Sequence, residues 1–174
     1  MTTIRKYKLP EGAKARLEGN MLFISGPKGD LHRNVRFPQI TVSCEGGEIV
    51  VTTESNRKKI VAMVGTIAAH AANMSKGVTT GFEYHMKVVF SHFPIQLKLA
   101  GTTLEINNFL GEKKARYAQL KAGVSAKVGT DEVILSGIDI EAVGTTAANI
   151  EHATRIRDRD PRVFQDGIYI TQRA

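Results

Sequence analysis

The sequence predicts an α+β fold of two similar tandem domains, 1–81 and 82–174, each a mostly antiparallel sheet with one helix packed on it. Three features predict it. A motif repeats at a fixed distance, short alternating segments open each half, and one amphipathic segment follows them. The motif Leu17-x-Gly19-x-x-Leu22-x-Ile24 returns as Leu99-x-Gly101-x-x-Leu104-x-Ile106, 82 residues on. Gly29 and Gly111 keep that spacing, as do Val42 and Val124. Later, Val64-Gly65-Thr66-Ile67-Ala68-Ala69 matches Val143-Gly144-Thr145-Thr146-Ala147-Ala148 at an offset of 79, so a short loop differs between the halves.

Strands come first in each half. Segments 15–24, 40–44 and 48–53 alternate apolar and polar residues, and so do 95–100, 103–106, 123–128 and 132–135. They are rich in β-branched residues and bounded by turn formers, as strands are. Gly19-Asn20 and Gly101-Thr102 stand where a two-residue hairpin turn needs an unhindered backbone. Glu45-Gly46-Gly47 and Gly129-Thr130-Asp131 predict a second turn in each half.

A helix then follows. Ile60, Val64, Ile67, Ala68, Ala71 and Met74 recur three and four residues apart, which puts them on one face. Ser55 is the expected cap and Gly77 the expected end. In the second half Ile140, Val143, Ala147 and Ile150 repeat the pattern behind Asp139 as cap. Gly65 and Gly144 fall inside these helices, so they predict close packing on a sheet and not an anion-binding loop. Segment 77–82 is the expected connection between the halves.

Charge narrows the partner. Lys and Arg number 24 against 17 Asp and Glu, a formal net charge of +7. Such a surface draws polyanions, of which nucleic acid is the commonest. A lone cysteine, Cys44, excludes an internal disulfide framework and any multi-cysteine metal site. The N-terminal residues lack the apolar core of a signal peptide, and no apolar run is long enough to span a bilayer. The expected compartment is therefore the cytoplasm, with no membrane partner.

Two segments carry the chemistry. Residues 155–170 are dense in arginine, with Arg155, Arg157, Arg159 and Arg162 interleaved with Asp158 and Asp160. Arginine forks fit phosphates and base edges, and Phe164 and Tyr169 supply stacking faces. The acids are expected to hold the forks in fixed poses. The plainer alternative is a surface ion-pair network. The second segment runs from Phe109 through Lys113, Lys114 and Arg116 to Tyr117 and is expected as a solvated loop after a hairpin. Arg57-Lys58-Lys59 opens the first helix, where the helix dipole disfavours cations, and so hints at an anion nearby.

Catalytic patterns are poor. Ser91-His92 has no acid at a recognisable spacing, and neither a phosphate-binding GxxxxGK[ST] nor an HExxH occurs. An RNA-processing hydrolase built on Asp158, Asp160 and Asp166 is the rival reading, and an RNA-binding regulator acting outside any large assembly is another.

Arg162-Val-Phe164-Gln-Asp166-Gly167-Ile168-Tyr169-Ile170 resembles the C-terminal signature of the universal large-subunit ribosomal protein L6 family, in its archaeal and eukaryotic branch. Gly81-Phe82-Glu83-Tyr84, Ser91-His92-Phe93-Pro94-Ile95 and Asn107-Asn108-Phe109-Leu110-Gly111-Glu112-Lys113 resemble it too. The short tails fit the archaeal side. His152 departs from the pattern, in which Gln commonly opens the signature, and this puts one local contact in question.

The resemblance implies a structural constituent of the large ribosomal subunit, not an enzyme, with no cofactor and no metal. It implies binding to large-subunit rRNA, mainly through the C-terminal domain, near the sarcin–ricin and factor-binding region. The expected rRNA-facing set is Arg155, Arg157, Arg159, Arg162, Phe164, Asp166, Gly167 and Tyr169, with Lys113, Lys114 and Arg116 secondary. Neighbouring ribosomal proteins would meet the first domain, and translation factors would pass nearby.

Overall fold

Duplicated sequence gives duplicated sheets. The computed structural model describes residues 3–45, 47–160 and 162–173. The chain divides into two units, one ending at Gly81 and the next beginning at Phe82. In the first unit, β1 (Thr3–Lys8), β2 (Lys14–Glu18), β3 (Met21–Gly26), β4 (Gly29–Asn34), β5 (Thr41–Glu45) and β6 (Glu48–Thr53) precede α1 (Lys58–Thr79). They form two antiparallel sheets, β2-β3-β4 and β1-β6-β5.

The second unit repeats that order with β7 (Phe82–Val89), β8 (Gln96–Ala100), β9 (Thr103–Asn107), β10 (Arg116–Gln119), β11 (Val124–Val128), β12 (Glu132–Gly137) and α2 (Ile140–Ala153). Its sheets are β8-β9-β10 and β11-β12-β7, and a last strand, β13 (Gly167–Arg173), adds to the outer edge of β7. The first unit has no counterpart of β13 among the described residues.

Alternation builds each core. Leu22 and Ile24 of β3 and Ile49 and Val51 of β6 are buried against Val64, Ile67 and Ala71 of α1. In the second unit Leu104, Ile106, Val133 and Leu135 meet Val143, Ala147 and Ile150 of α2. Both expected hairpins form. Glu18 pairs with Met21 and Ala100 with Thr103, and Gly19 and Gly101 share a φ of 60°. That sign at the first turn position suits glycine, because a Cβ there would crowd the backbone. Gly129 N–H closes the expected later turn on Glu132 O at 2.8 Å, while Gly46 of the matching first-half turn lies outside the described residues.

Helix ends differ from expectation in α1. Asp139 does cap α2, its Oδ1 accepting from Glu141 N at 3.0 Å. Ser55 does not cap α1, which begins after Arg57 without a side-chain cap. Nor does Gly77 end it. The apolar face runs on through the fully buried Val78, and the helix continues two residues beyond Gly77, to Thr79. Gly81, at φ 77°, ends it, with Thr80 N and Gly81 N both bonded to Lys76 O.

The helical glycines are also not where close packing occurs. A Cβ on Gly65 would meet nothing, and one on Gly144 only the Tyr84 hydroxyl at 3.8 Å. Closeness is needed instead at Gly26, where a Cβ would lie 2.7 Å from Val78 O, and at Gly137, 2.9 Å from Val143 Cγ2. Cys44, half-buried in β5, has its thiol pKa pushed up by burial, which disfavours the reactive thiolate.

Candidate nucleic-acid interface

Segment 108–116 forms an ordered clasp and not the solvated loop its charge suggested. Phe109 is fully buried and plugs the core of the second unit. To bury it, the chain turns tightly. Asn108 (φ 59°), Leu110 (φ 51°) and Gly111 (φ 74°) all take left-handed conformations, and Asn108 Nδ2 donates to Pro94 O at 3.1 Å. A left-handed leucine costs energy that surrounding structure must offset. Four non-glycine residues among those described have positive φ, and Asn108, Leu110 and Asp158 fall in the two segments that carry the cations. The turn leaves Lys113 and Lys114 exposed just before β10.

Arg116 ties this clasp to the arginine-rich tail. Its Nε and Nη2 meet the two carboxylate oxygens of Glu112 at 2.9 and 2.6 Å, a forked pair. Its Nη1 donates to Ala153 O at 3.0 Å and Arg155 O at 2.9 Å, capping the end of α2. The guanidinium carbon sits 4.2 Å from the centre of the Phe109 ring. Four of its five N–H groups are thus occupied within the protein. The hydrogen bond and charge of Arg116, with Arg159 adding to the field, hold the Glu112 carboxyl below the usual carboxylate range.

The tail is held at further points. Thr154, buried at the end of α2, accepts Ile168 N on its hydroxyl at 3.2 Å. Glu151 Oε1 accepts Ile170 N at 2.9 Å, next to the bulge in β13. Asp166 is buried, 3% exposed, and Oδ2 accepts Ser91 N at 3.3 Å. Asp160 folds the intervening turn, its Oδ1 accepting Arg162 N at 2.9 Å and its main-chain oxygen accepting Val163 N and Phe164 N. Pro161 lies outside the described residues.

The acids therefore do not brace the arginines as expected. Among the described residues, neither Asp158 nor Asp160 forms an ion pair within 4.0 Å. Asp160 Oδ1 instead accepts Arg162 N in a turn, and Asp158 takes a left-handed backbone at φ 58°. The result is a set of uncompensated cations. Arg155, Arg157, Arg159, Arg162, Lys113 and Lys114 are all exposed, and none is ion-paired among the described residues. Arg159 stacks over Phe164, 4.8 Å from its centre. Tyr169 is 45% exposed, and its hydroxyl donates to Gln165 O at 3.2 Å. Gly167 is buried because that ring folds back over it, and a Cβ there would come within 2.9 Å of the ring.

Geometry thus sorts the expected set into two kinds. Six cations and two aromatic rings, those of Phe164 and Tyr169, stand on the surface or half-buried beside one another's segments. Arg116, Asp166 and Gly167 are spent internally and position the others. Sequence reasoning missed Glu112, Thr154, Glu151 and Ser91, which hold the tail. The Glu112–Arg116 pair had a signal in its spacing of four. The others pair across distances of 14 to 75 residues and had none. Among the described residues no cluster of His, Cys, Asp and Glu could hold a metal ion, and buried Asp166 bonds Ser91 N while Asp160 folds a turn.

Known proteins resemble this chain throughout. The family described as "Ribosomal protein L6" matches residues 9–81 and again residues 93–167, one match in each structural unit. The "Large ribosomal subunit protein uL6" of Methanospirillum hungatei is 55% identical over 174 residues, covering 100% of this chain and 99% of its own. Proteins of the same description from Methanothrix thermoacetophila and Methanocella arvoryzae are 48% and 49% identical, each covering 98% of this chain and 97% of its own.

Proposed function

We propose, from the premise that this chain belongs to the ribosomal protein L6 family, that it is a structural constituent of the large ribosomal subunit and docks on large-subunit rRNA through its second unit. The family is structural, and the chain is not an enzyme. Its work is electrostatic and geometric. Arg155, Arg157, Arg159 and Arg162, with Lys113 and Lys114, neutralise phosphates and release counterions. Phe164 and Tyr169 offer faces for stacking.

The observation that carries this reading is the Arg116 knot. One buried-side guanidinium fastens the lysine-bearing clasp to the first residue of the arginine tail. The cations are thereby preorganised, and less conformational entropy is lost when RNA binds. Arg116, Asp166 and Gly167 serve as positioning residues in this account.

The protein sits in the cytoplasmic ribosome, close to the sarcin–ricin and factor-binding region, with other ribosomal proteins against its first unit and translation factors nearby. Ultraviolet cross-linking on purified large subunits tests it. Cross-links from residues 155–169 and 113–114 to rRNA of that region are expected. Cross-links to rRNA from the first unit alone would contradict the reading.

A further inference from the structure

A cleft of about 480 Å³ opens where α2 ends, lined by Glu151, His152, Thr154, Arg155, Phe164 and Tyr169 among others. That volume is ordinary for a small-ligand site, where roughly 300–1,000 Å³ is usual. We propose that it receives one unpaired guanine of the bound RNA, its Watson–Crick edge directed at Glu151. The inference rests on the RNA-docking reading above and specifies what part of the RNA enters.

Electrostatics decides between base and phosphate. The cleft lies at the C-terminal end of α2, whose last carbonyl Arg116 caps, and it holds the Glu151 carboxylate beside the Arg155 side chain. The carboxylate disfavours a phosphate next to it and favours N–H donors. Glu151 Oε1 accepts only Ile170 N, and Oε2 accepts from no described residue, so lone pairs remain on both oxygens. Guanine alone among the bases presents two adjacent N–H donors on that edge, which a carboxylate can accept together. Phosphates are left to Arg155 and Arg157, which are exposed and unpaired among the described residues.

A stacking face is already in place. The Tyr169 ring lines the cleft, half-exposed, and is fixed twice: its hydroxyl bonds Gln165 O, and its ring occupies the space a side chain on Gly167 would fill. A fixed aromatic face stacks an unpaired base without an ordering cost.

The test uses the full chain bound to deproteinised large-subunit rRNA, probed with kethoxal, which modifies the N1 and N2 edge of unpaired guanine. The expected result is one guanine protected by the wild-type chain. In Glu151→Gln, which still accepts Ile170 N–H, that guanine regains about tenfold reactivity, the loss of one bidentate pair. Tyr169→Leu does the same, and neither variant changes the salt dependence of binding. Bound rRNA with no protected guanine, or protection indifferent to both variants, overturns the inference and leaves the docking reading standing. Failure of the wild-type chain to bind rRNA at all overturns both.

Discussion

Arg116 Nη1 lies 2.9 Å from the main-chain oxygen of Arg155, so the side chain of one basic residue fixes the backbone from which the others project. The same guanidinium grips Glu112 with two bonds and covers the Phe109 ring. Shape explains the choice of residue. Only a planar fork can face a carboxylate, two carbonyls and an aromatic ring at once.

Arg116→Lys is accordingly not conservative. A lysine has neither the fork nor the plane, and it leaves Ala153 O and Arg155 O without their donor. Loss of about 2 kcal/mol of stability is expected, the scale of hydrogen bonds to a charged group. Urea denaturation measures it. Affinity for rRNA falls as well, and in Arg116→Met, which removes the charge too, the salt slope stays at its wild-type value because Arg116 is held within the protein and touches no phosphate. A shallower slope would make it a contact residue.

Two glycine-to-alanine changes in the first unit should move stability in opposite directions. In Gly26→Ala the new methyl meets the backbone oxygen of Val78 at 2.7 Å, and backbone yields poorly. A loss of about 3 kcal/mol is expected, at the upper end for overpacking. In Gly65→Ala the methyl enters open space on a helix, and a gain of about 1 kcal/mol follows from helix propensity. Thermal melts of the two variants read both signs.

Acidity acts through His85. Its Nδ1 lies 2.6 Å from Glu132 and its Nε2 2.9 Å from Glu83. The Glu132 hydrogen bond, then the charges of Glu132 and Glu83, hold the imidazole above its usual value of about 6.5. A folded-state value above the unfolded one gives stability that is complete below about pH 6.5 and fades as pH rises through the folded value. His85→Gln should remove this dependence between mildly acidic and mildly alkaline pH. Denaturant midpoints across that range, beside an NMR titration of the imidazole, check the sign.

The duplication made the paired sheets and helices readable, because both hairpin glycines and both helical faces recur at fixed offsets. Strands with little alternation were not readable. β1 is charged and mostly exposed, β10 has four residues, and β4 lies in a basic stretch. β7 was readable yet missed: Phe82, Tyr84, Met86 and Val88 alternate inward without a break. β13 depends on pairing with β7 from 78 residues away, as Gly167 with Val89, which no local pattern records. In the candidate site, the dense arginines marked the segment, and its aromatics were legible within it. The division into exposed and internally engaged residues was hidden, since it depends on where Arg116, Asp166 and Gly167 sit in the fold.

Salt dependence of rRNA binding counts the phosphates that the arginine tail neutralises. Filter-binding titrations of the wild-type chain, Arg157→Ala and Arg162→Ala over a range of salt give log Kd against log salt. Each variant should bind more weakly, keep its thermal melt, and lose roughly 0.7–0.9 from the slope for the phosphate contact removed. Wild-type affinity and an unchanged slope in both variants would show that the arginine tail does not meet the RNA backbone.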